Sequence, residues 1–406
     1  MNVTRLTARQ ILDSRGRPTV EATLATDRTA GTASVPSGTS TGSHEARELR
    51  DGDRRWGGHG VAKAVSHVNV ELASALKGKP IDDQAAFDSW LRETDGTDDK
   101  SRLGANALLA VSLAAFKARA SGKGSQPYQE AADLLGVPAP TGIPVPLCNV
   151  LNGGAHADNS LVIQEFMIVP HGLGSFSNAL RALSEVSAAL RSRLAGQGAG
   201  TGVGLEGGFA PDLPTHSEAL DLLVGAIKDA GYEPGTHLSL ALDVAASGLL
   251  KDGRYVFEGQ ALSAEQLVAQ YASLLDRYPI VSIEDPLGEE DVAGWERAAA
   301  RLRGDTQLVG DDLTVTDAGR IKDAAAKGLI SAVIIKPNQI GTVSETLDAV
   351  RAARENGIKP ILSHRSGETN DDVLADFAVG WEAPQIKAGG MSRGERVAKY
   401  NRLWQI

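Results

Sequence analysis

Six ionisable residues, Asp243, Glu284, Asp311, Lys336, His364 and Lys387, each stand where a short apolar run gives way to a loop. The runs are "LSLALDVAA", "IVSIEDP", "QLVGDDL", "SAVIIKPN", "KPILSHRSG" and "APQIKAGG", and the six positions fall 41, 27, 25, 28 and 23 residues apart. Each step has room for one strand and one helix, and β-rich runs alternating with helical stretches read as an α/β barrel. Such a barrel gathers its strand-end loops on one face, where enzymes of this architecture carry their chemistry. Six polar residues remote in sequence would then converge, and ionisable groups collected in this way mark a functional site more often than a structural one.

A chain of 406 residues exceeds one ordinary core, so a second unit is expected beside the barrel. From Val3 to about Ser34 the pattern alternates, with "PTVEATLATD" and "RTAGTASVP" separated by turn residues, which suits a small antiparallel sheet. Residues 59–77, 81–94 and 104–121 then carry apolar side chains three and four apart, so the first part reads as an α+β domain. The Pro- and Gly-rich stretch "GVPAPTGIPVP" sets the boundary near Pro140, with domains over 1–138 and 139–406.

A net charge of −10 repels phosphate backbones and anionic lipid, so neither nucleic acid nor membrane is the expected partner. The most apolar helix, "GANALLAVSLAAFKAR", is shorter than a membrane span, and "MNVTRLTARQILDSRG" lacks the apolar core of a secretory signal. The expected location is cytoplasmic, and the sequon Asn2-Val3-Thr4 is then a chance match. The single cysteine, Cys148 in "PVPLCNVLNGG", reads as a buried structural thiol.

Asp243, Glu284 and Asp311 bring three carboxylates together, and like charges at close range repel unless a cation sits among them. Hard oxygen ligands without Cys or His point to Mg²⁺, which leaves coordination positions to water or to the oxygens of an anionic substrate. Lys336 and Lys387 follow on later strands. A lysine beside a metal and a second ammonium has its charged form disfavoured, which predicts a base near neutral pH. Arg365 and Ser366, directly after His364, offer a forked cation and a hydroxyl for a phosphate or carboxylate. Metal, base and anion clamp together suit proton abstraction next to a carboxylate, with the metal stabilising the enediolate.

Upstream, "NGGAHADN" and "QEFMIVP" hold His156, Gln164 and Glu165, and "GLEGGFAP" holds Glu206. Glycines before His156 and Asp158 after it predict an exposed loop rather than a core histidine. The G-x-G-x-x-G string Gly202–Gly207 follows a helical stretch instead of a strand, so it fails the context of a dinucleotide site and reads as a flexible loop presenting Glu206. A G-x-S-x-G string, Gly38-Thr39-Ser40-Thr41-Gly42, leaves Ser40 open as a nucleophile or as a loop residue.

The sequence resembles the enolase family from near Val3 to near Leu403. The resemblance rests on "ILDSRGRPTVE", "VPSGTSTG", "NGGAHADN", "IQEFMIVP", "EGGFAPDL", "SIEDPL", "VGDDLTVT", "IKPNQIGT", "SHRSGET" and "IKAGG", which occur in the family's order. It implies an enolase-type (β/α)8 barrel with an N-terminal α+β capping domain, a homodimer, and Mg²⁺-dependent dehydration of 2-phosphoglycerate to phosphoenolpyruvate, with two ions during turnover. By motif, Asp243, Glu284 and Asp311 would hold the first Mg²⁺ and Lys336 would take the C2 proton. Glu206, helped by Glu165, would protonate the departing hydroxyl, and Lys387 would hold the carboxylate. His156, Gln164, His364, Arg365 and Ser366 would bind substrate, the last two and His156 around the phosphate. Ser40 would ligate a second Mg²⁺ from a loop hinged at Gly38 and Gly42, which removes the nucleophile reading.

Several positions depart from the family pattern. Leu205 replaces the usual Asp beside Glu206, Gly248, Leu249 and Leu250 replace Glu and aromatics, and "KAGGMSRGER" and "SGETNDD" are altered segments. Changes clustered around retained reacting groups suit a paralogue in phosphonate biosynthesis, carboxyphosphonoenolpyruvate synthase, with Gly248, Gly389 and Gly390 making room for a phosphonoformate unit. A catalytically silent enolase fold is the third reading, disfavoured by the retained groups.

Overall fold

The computed structural model describes residues 1–406 other than Ser40, Thr41, Ala139, Thr141 and Asp305. Strands β1 (Val3–Leu12), β2 (Pro18–Thr26) and β3 (Ala30–Ser34) form an antiparallel meander. The helix Ala105–Lys123 lies across it and is buried on nearly all sides, as its Ala- and Leu-rich composition requires. At Gly31 a Cβ would stand 2.2 Å from the Ala114 carbonyl oxygen and 2.4 Å from the Ala118 nitrogen, so only glycine lets strand and helix meet this closely.

Strands β4 (Val145–Asn152), β5 (Glu165–Pro170) and β6 (Leu238–Asp243) open the second part. A small three-stranded sheet follows, β7 (Leu250–Lys251), β8 (Arg254–Phe257) and β9 (Gln260–Leu262). Then come β10 (Ile280–Glu284), β11 (Gln307–Gly310), β12 (Ala332–Ile335), β13 (Lys359–Ser363) and β14 (Gln385–Gly389). Strands β4–β6 and β10–β14 close into an eight-stranded barrel in the order β10-β11-β12-β13-β14-β4-β5-β6. Leu147, Met167, Ala241, Val309, Ile334 and Ile361 belong to a separate apolar cluster of its strands.

One strand runs against the rest: β5 pairs antiparallel with both β4 and β6. The link from β4 to β5, residues 153–164, carries no α-helix, only the short turn Gly154–His156, and a parallel neighbour is usually reached through a helical crossover. The reversal places the first residue of β5, Glu165, opposite the last residue of β6, Asp243. A strand start thereby joins the face that every other strand supplies from its end.

The N-terminal part covers that face. Ser37 bridges to Gly367, the Ser14 nitrogen donates to the Glu368 carbonyl, and the Thr39 nitrogen donates to Ser366 Oγ at 2.9 Å. Cys148 is fully buried, and burial pushes its thiol up to about 12, as a structural cysteine should be. No helix among the described residues is long and apolar enough to cross a membrane.

Candidate active site

Asp243 and Glu284 close β6 and β10, Asp311, Lys336 and His364 each follow the last residue of β11, β12 and β13, and Lys387 stands within β14. Ten of the expected site residues line one polar cavity of about 20 Å³: His156, Gln164, Glu165, Glu206, Asp243, Lys336, His364, Arg365, Ser366 and Lys387. Glu284 and Asp311 join it through ion pairs to Lys387 and Lys336. Ser40 lies outside the described residues.

The Lys387 ammonium sits in a bowl of carboxylates, 2.7 Å from Asp243 Oδ2, 2.9 Å from both Glu284 oxygens and 3.0 Å from Glu165 Oε1. Lys336 Nζ pairs with Asp311 Oδ2, whose other oxygen accepts from Gln339 Nε2 at 3.0 Å. The three expected metal carboxylates are therefore compensated by two ammonium groups and are not drawn to a single point. Among the described residues the tight ligand groupings, with atoms within 4.8 Å of one another, are His156–Glu165–Glu206 and Asp285–Asp311–Asp312.

In these pairings the neighbouring carboxylates favour the charged form of both lysines. Burial pushes Lys336 down, but the Asp311 and Glu284 carboxylates together outweigh it and leave the ammonium above its ordinary value. Lys387 is lifted further, because Asp243, Glu165 and Glu284 together exceed the effect of burial. Glu284 is raised well above the carboxylate range by burial and by Asp243. Asp311, also buried, is held below that range by Lys336.

His156 corrects one expectation. It lies in the turn Gly154–His156 but is 5 % exposed, with Nδ1 3.6 Å from Glu206 Oε2 and 3.9 Å from Glu165 Oε1. Glu206 is likewise buried on its loop, against His364 Nε2 at 3.3 Å. Burial lifts Glu165 well above its usual range, aided by the neighbouring Glu206 charge. Burial also acts on Glu206, but the two imidazoles outweigh it and hold that carboxyl low. His156 Nδ1, Glu165 Oε2, Glu206 Oε2 and His364 Nε2 are buried without a hydrogen-bond partner among the described residues. Four such atoms around one cavity are costly in a core and suit a polar ligand.

Arg365 is gripped by Glu45, Nη1 to Oε2 at 2.8 Å and Nη2 to Oε1 at 3.2 Å, and also donates to Asn338 Oδ1. Burial opposes the guanidinium charge, but Glu45 outweighs it and raises the group further. Ser366 Oγ shares a hydrogen bond with Thr39 Oγ1 at 2.8 Å, and Arg15 Nη1 donates to the same Thr39 oxygen. Gln164 Nε2 reaches Asp243 Oδ2 at 3.3 Å.

Sequence reasoning missed Glu45, Asp285, Asp312 and Arg396. Asp285 accepts the backbone N–H groups of Asp311 and Asp312, at 2.9 and 2.8 Å, and so shapes the end of β11. Burial and Asp311 push Asp312 up to about 7. The doublets "ED" and "DD" carried that signal, since the second acid of each follows directly on an expected ligand. Glu45 and Arg396 gave none, being charges on polar stretches.

Comparison with known families agrees with this geometry. A profile described as the enolase C-terminal TIM barrel domain matches residues 140–406, and one described as the enolase N-terminal domain matches residues 3–130. The chain belongs to the enolase family. Family membership supports enolase-type chemistry, and enolases typically bind Mg²⁺. The departures around the site take on structural meaning within that family. Gly248 has open space at its Cβ position and lines a cavity of about 550 Å³ beside Gln164 and Asp312. Gly389 and Gly390 make no room: their Cβ atoms would meet the Glu206 carbonyl at 2.8 Å and Gly207 at 2.7 Å. At Gly42 a Cβ would meet Val315 Cγ1 at 2.7 Å, so this position is closely packed.

Proposed function

We propose that this enolase-family protein abstracts the proton next to the carboxylate of 2-phosphoglycerate and expels the C3 hydroxyl as water, giving phosphoenolpyruvate. The observation that carries the reading is one polar cavity lined by Lys336, Glu165, Glu206, Arg365, Ser366 and Asp243 together.

The carboxylates suit Mg²⁺ because their donors are hard oxygens. Asp243, Glu284 and Asp311 would hold the ion, with Ser40 assigned by motif to a second. Mg²⁺ there would supply positive charge that stabilises the enediolate. Lys336 Nζ would accept the C2 proton. Lys387 would hold the substrate carboxylate. Arg365, exchanging Glu45 for the phosphate, fixes the far end with His156 and Ser366, while Gln164 and His364 line the pocket. Glu165 and Glu206 deliver their shared proton to the leaving hydroxyl.

A second reading is favoured by the cavity of about 550 Å³, which Gly248 helps to open against the site. The same proton abstraction could there precede joining of a phosphonoformate unit, as in the phosphonate-pathway paralogue. Phosphorus NMR separates the two. Protein with Mg²⁺ and 2-phosphoglycerate alone should form phosphoenolpyruvate, whereas a new phosphonate that needs a cytidylyl phosphonoformate donor would establish the paralogue. No turnover in either mixture would reject both. The reading also carries a cytoplasmic homodimer, measurable by sedimentation and by fractionation.

A further inference from the structure

Arg396 lies on the C-terminal helix Gly394–Gln405 and is fully buried. One guanidinium there reaches four acceptors on two loops of the site. Nη1 lies 2.6 Å from His364 Nδ1 and 2.5 Å from the Arg365 carbonyl oxygen. Nη2 donates to the Ser366 carbonyl at 2.6 Å and to the Leu205 carbonyl at 3.1 Å. The first three contacts fix the turn after β13, and the last fixes the loop that carries Glu206.

The contact with His364 has a chemical consequence. A guanidinium has donors only and does not lose its proton in a protein, so a ring nitrogen bonded to it must be an acceptor. Nδ1 of His364 therefore carries a lone pair, and the ring proton of the neutral imidazole sits on Nε2. That nitrogen faces Glu206 Oε2 across 3.3 Å. Burial pushes His364 down to about 3, Glu206 opposes it and Arg396 adds to it, which agrees with a neutral ring.

We propose that Arg396 is a positioning residue that locks His364 as the neutral Nε2–H tautomer, so that an N–H left unpaired among the described residues faces Glu206 and is free to meet the leaving hydroxyl. The inference rests on the reading of Glu206 as one of the acid pair for its catalytic meaning, but the tautomer itself is measurable without turnover.

The test is ¹⁵N NMR of histidine-labelled full-length protein, with the His364 signals among the eight histidines assigned from the spectrum of His364→Gln. The wild type should show His364 Nδ1 as a bare imine nitrogen and Nε2 as protonated. Arg396→Lys, which keeps a cationic donor, should retain that pattern and recover part of the activity. Arg396→Met, which has no donor, should release a mixture of tautomers and lower kcat about 10- to 100-fold with a smaller change in KM. A wild-type His364 protonated on Nδ1 or on both nitrogens overturns the proposal. So does an unchanged tautomer and unchanged kcat in a folded Arg396→Met. The expected tautomers in a protein that makes no phosphoenolpyruvate would overturn the proposed function and leave the lock standing.

Discussion

The ammonium of Lys387 lies 2.9 Å from both carboxylate oxygens of Glu284. A lysine thus occupies the bowl formed by Asp243, Glu284 and Glu165. Removing one partner of a buried pair leaves the other uncompensated, at about 3–5 kcal/mol. Lys387→Met should therefore lose stability of that order in chelator. Added Mg²⁺ should raise its melting temperature more than it raises that of the wild type, as read by calorimetry.

Arg365 meets Glu45 with both arms of its guanidinium, the geometry that a phosphate would take over. Arg365→Lys keeps the charge and loses the fork. A charged hydrogen bond of roughly 1.5–3 kcal/mol would be forfeited, so KM for the phospho-acid should rise about 10- to 100-fold. Steady-state kinetics at fixed Mg²⁺ reads the effect.

Gly390 tests how the acid loop is held. A Cβ there would lie 2.7 Å from the Gly207 carbonyl group and 2.8 Å from the Asn149 carbonyl oxygen, all backbone atoms with little freedom to move. Gly390→Ala should cost roughly 1–3 kcal/mol in denaturant unfolding and lower kcat, because the Gly390 nitrogen also donates to the Glu206 carbonyl.

His216 provides a pH dependence away from the chemistry. Its Nε2 accepts the Val162 backbone N–H at 3.1 Å, the ring packs on Phe257, and Glu258 faces Nδ1 at 3.0 Å. Burial pushes it down to about 4, against the opposing pull of Glu258. The folded value lies below the unfolded one, so its stabilisation is complete above about pH 6.5 and is lost as pH falls from there toward 4. Between pH 7.5 and 4.5 the wild type should lose on the order of 2–3 kcal/mol more than His216→Gln in denaturant unfolding.

The barrel was legible because each apolar run ended in a single ionisable residue, a pattern that strand periodicity and spacing expose. The direction of β5 was less so: "FMIVP" after Gln164 and Glu165 is apolar throughout, and the clue lay in the link of residues 153–164 before it, which carries no α-helix. Lysine basicity could not be read from residue type, since at Lys336 burial is opposed by the Asp311 and Glu284 carboxylates that the fold brings to it. The burial of His156 was hidden for a similar reason, because glycines beside it serve close packing as readily as exposure. At Gly153 a Cβ would meet the Ile163 carbonyl at 2.5 Å. Arg396 was invisible, because in "SRGERVAKY" its charge looks like one more on a solvated helix. Only the tertiary fold turns it inward.

The central claim is that Lys336 removes the proton next to a carboxylate. Hydrogen exchange at C2 of 2-phosphoglycerate, followed by NMR in deuterated buffer with Mg²⁺, tests it most directly. The wild type should introduce deuterium at C2 while phosphoenolpyruvate forms, and both should fall by about 10²–10⁴ in Lys336→Ala with its fold intact. Undiminished exchange in that variant, or none in the wild type, would contradict the account.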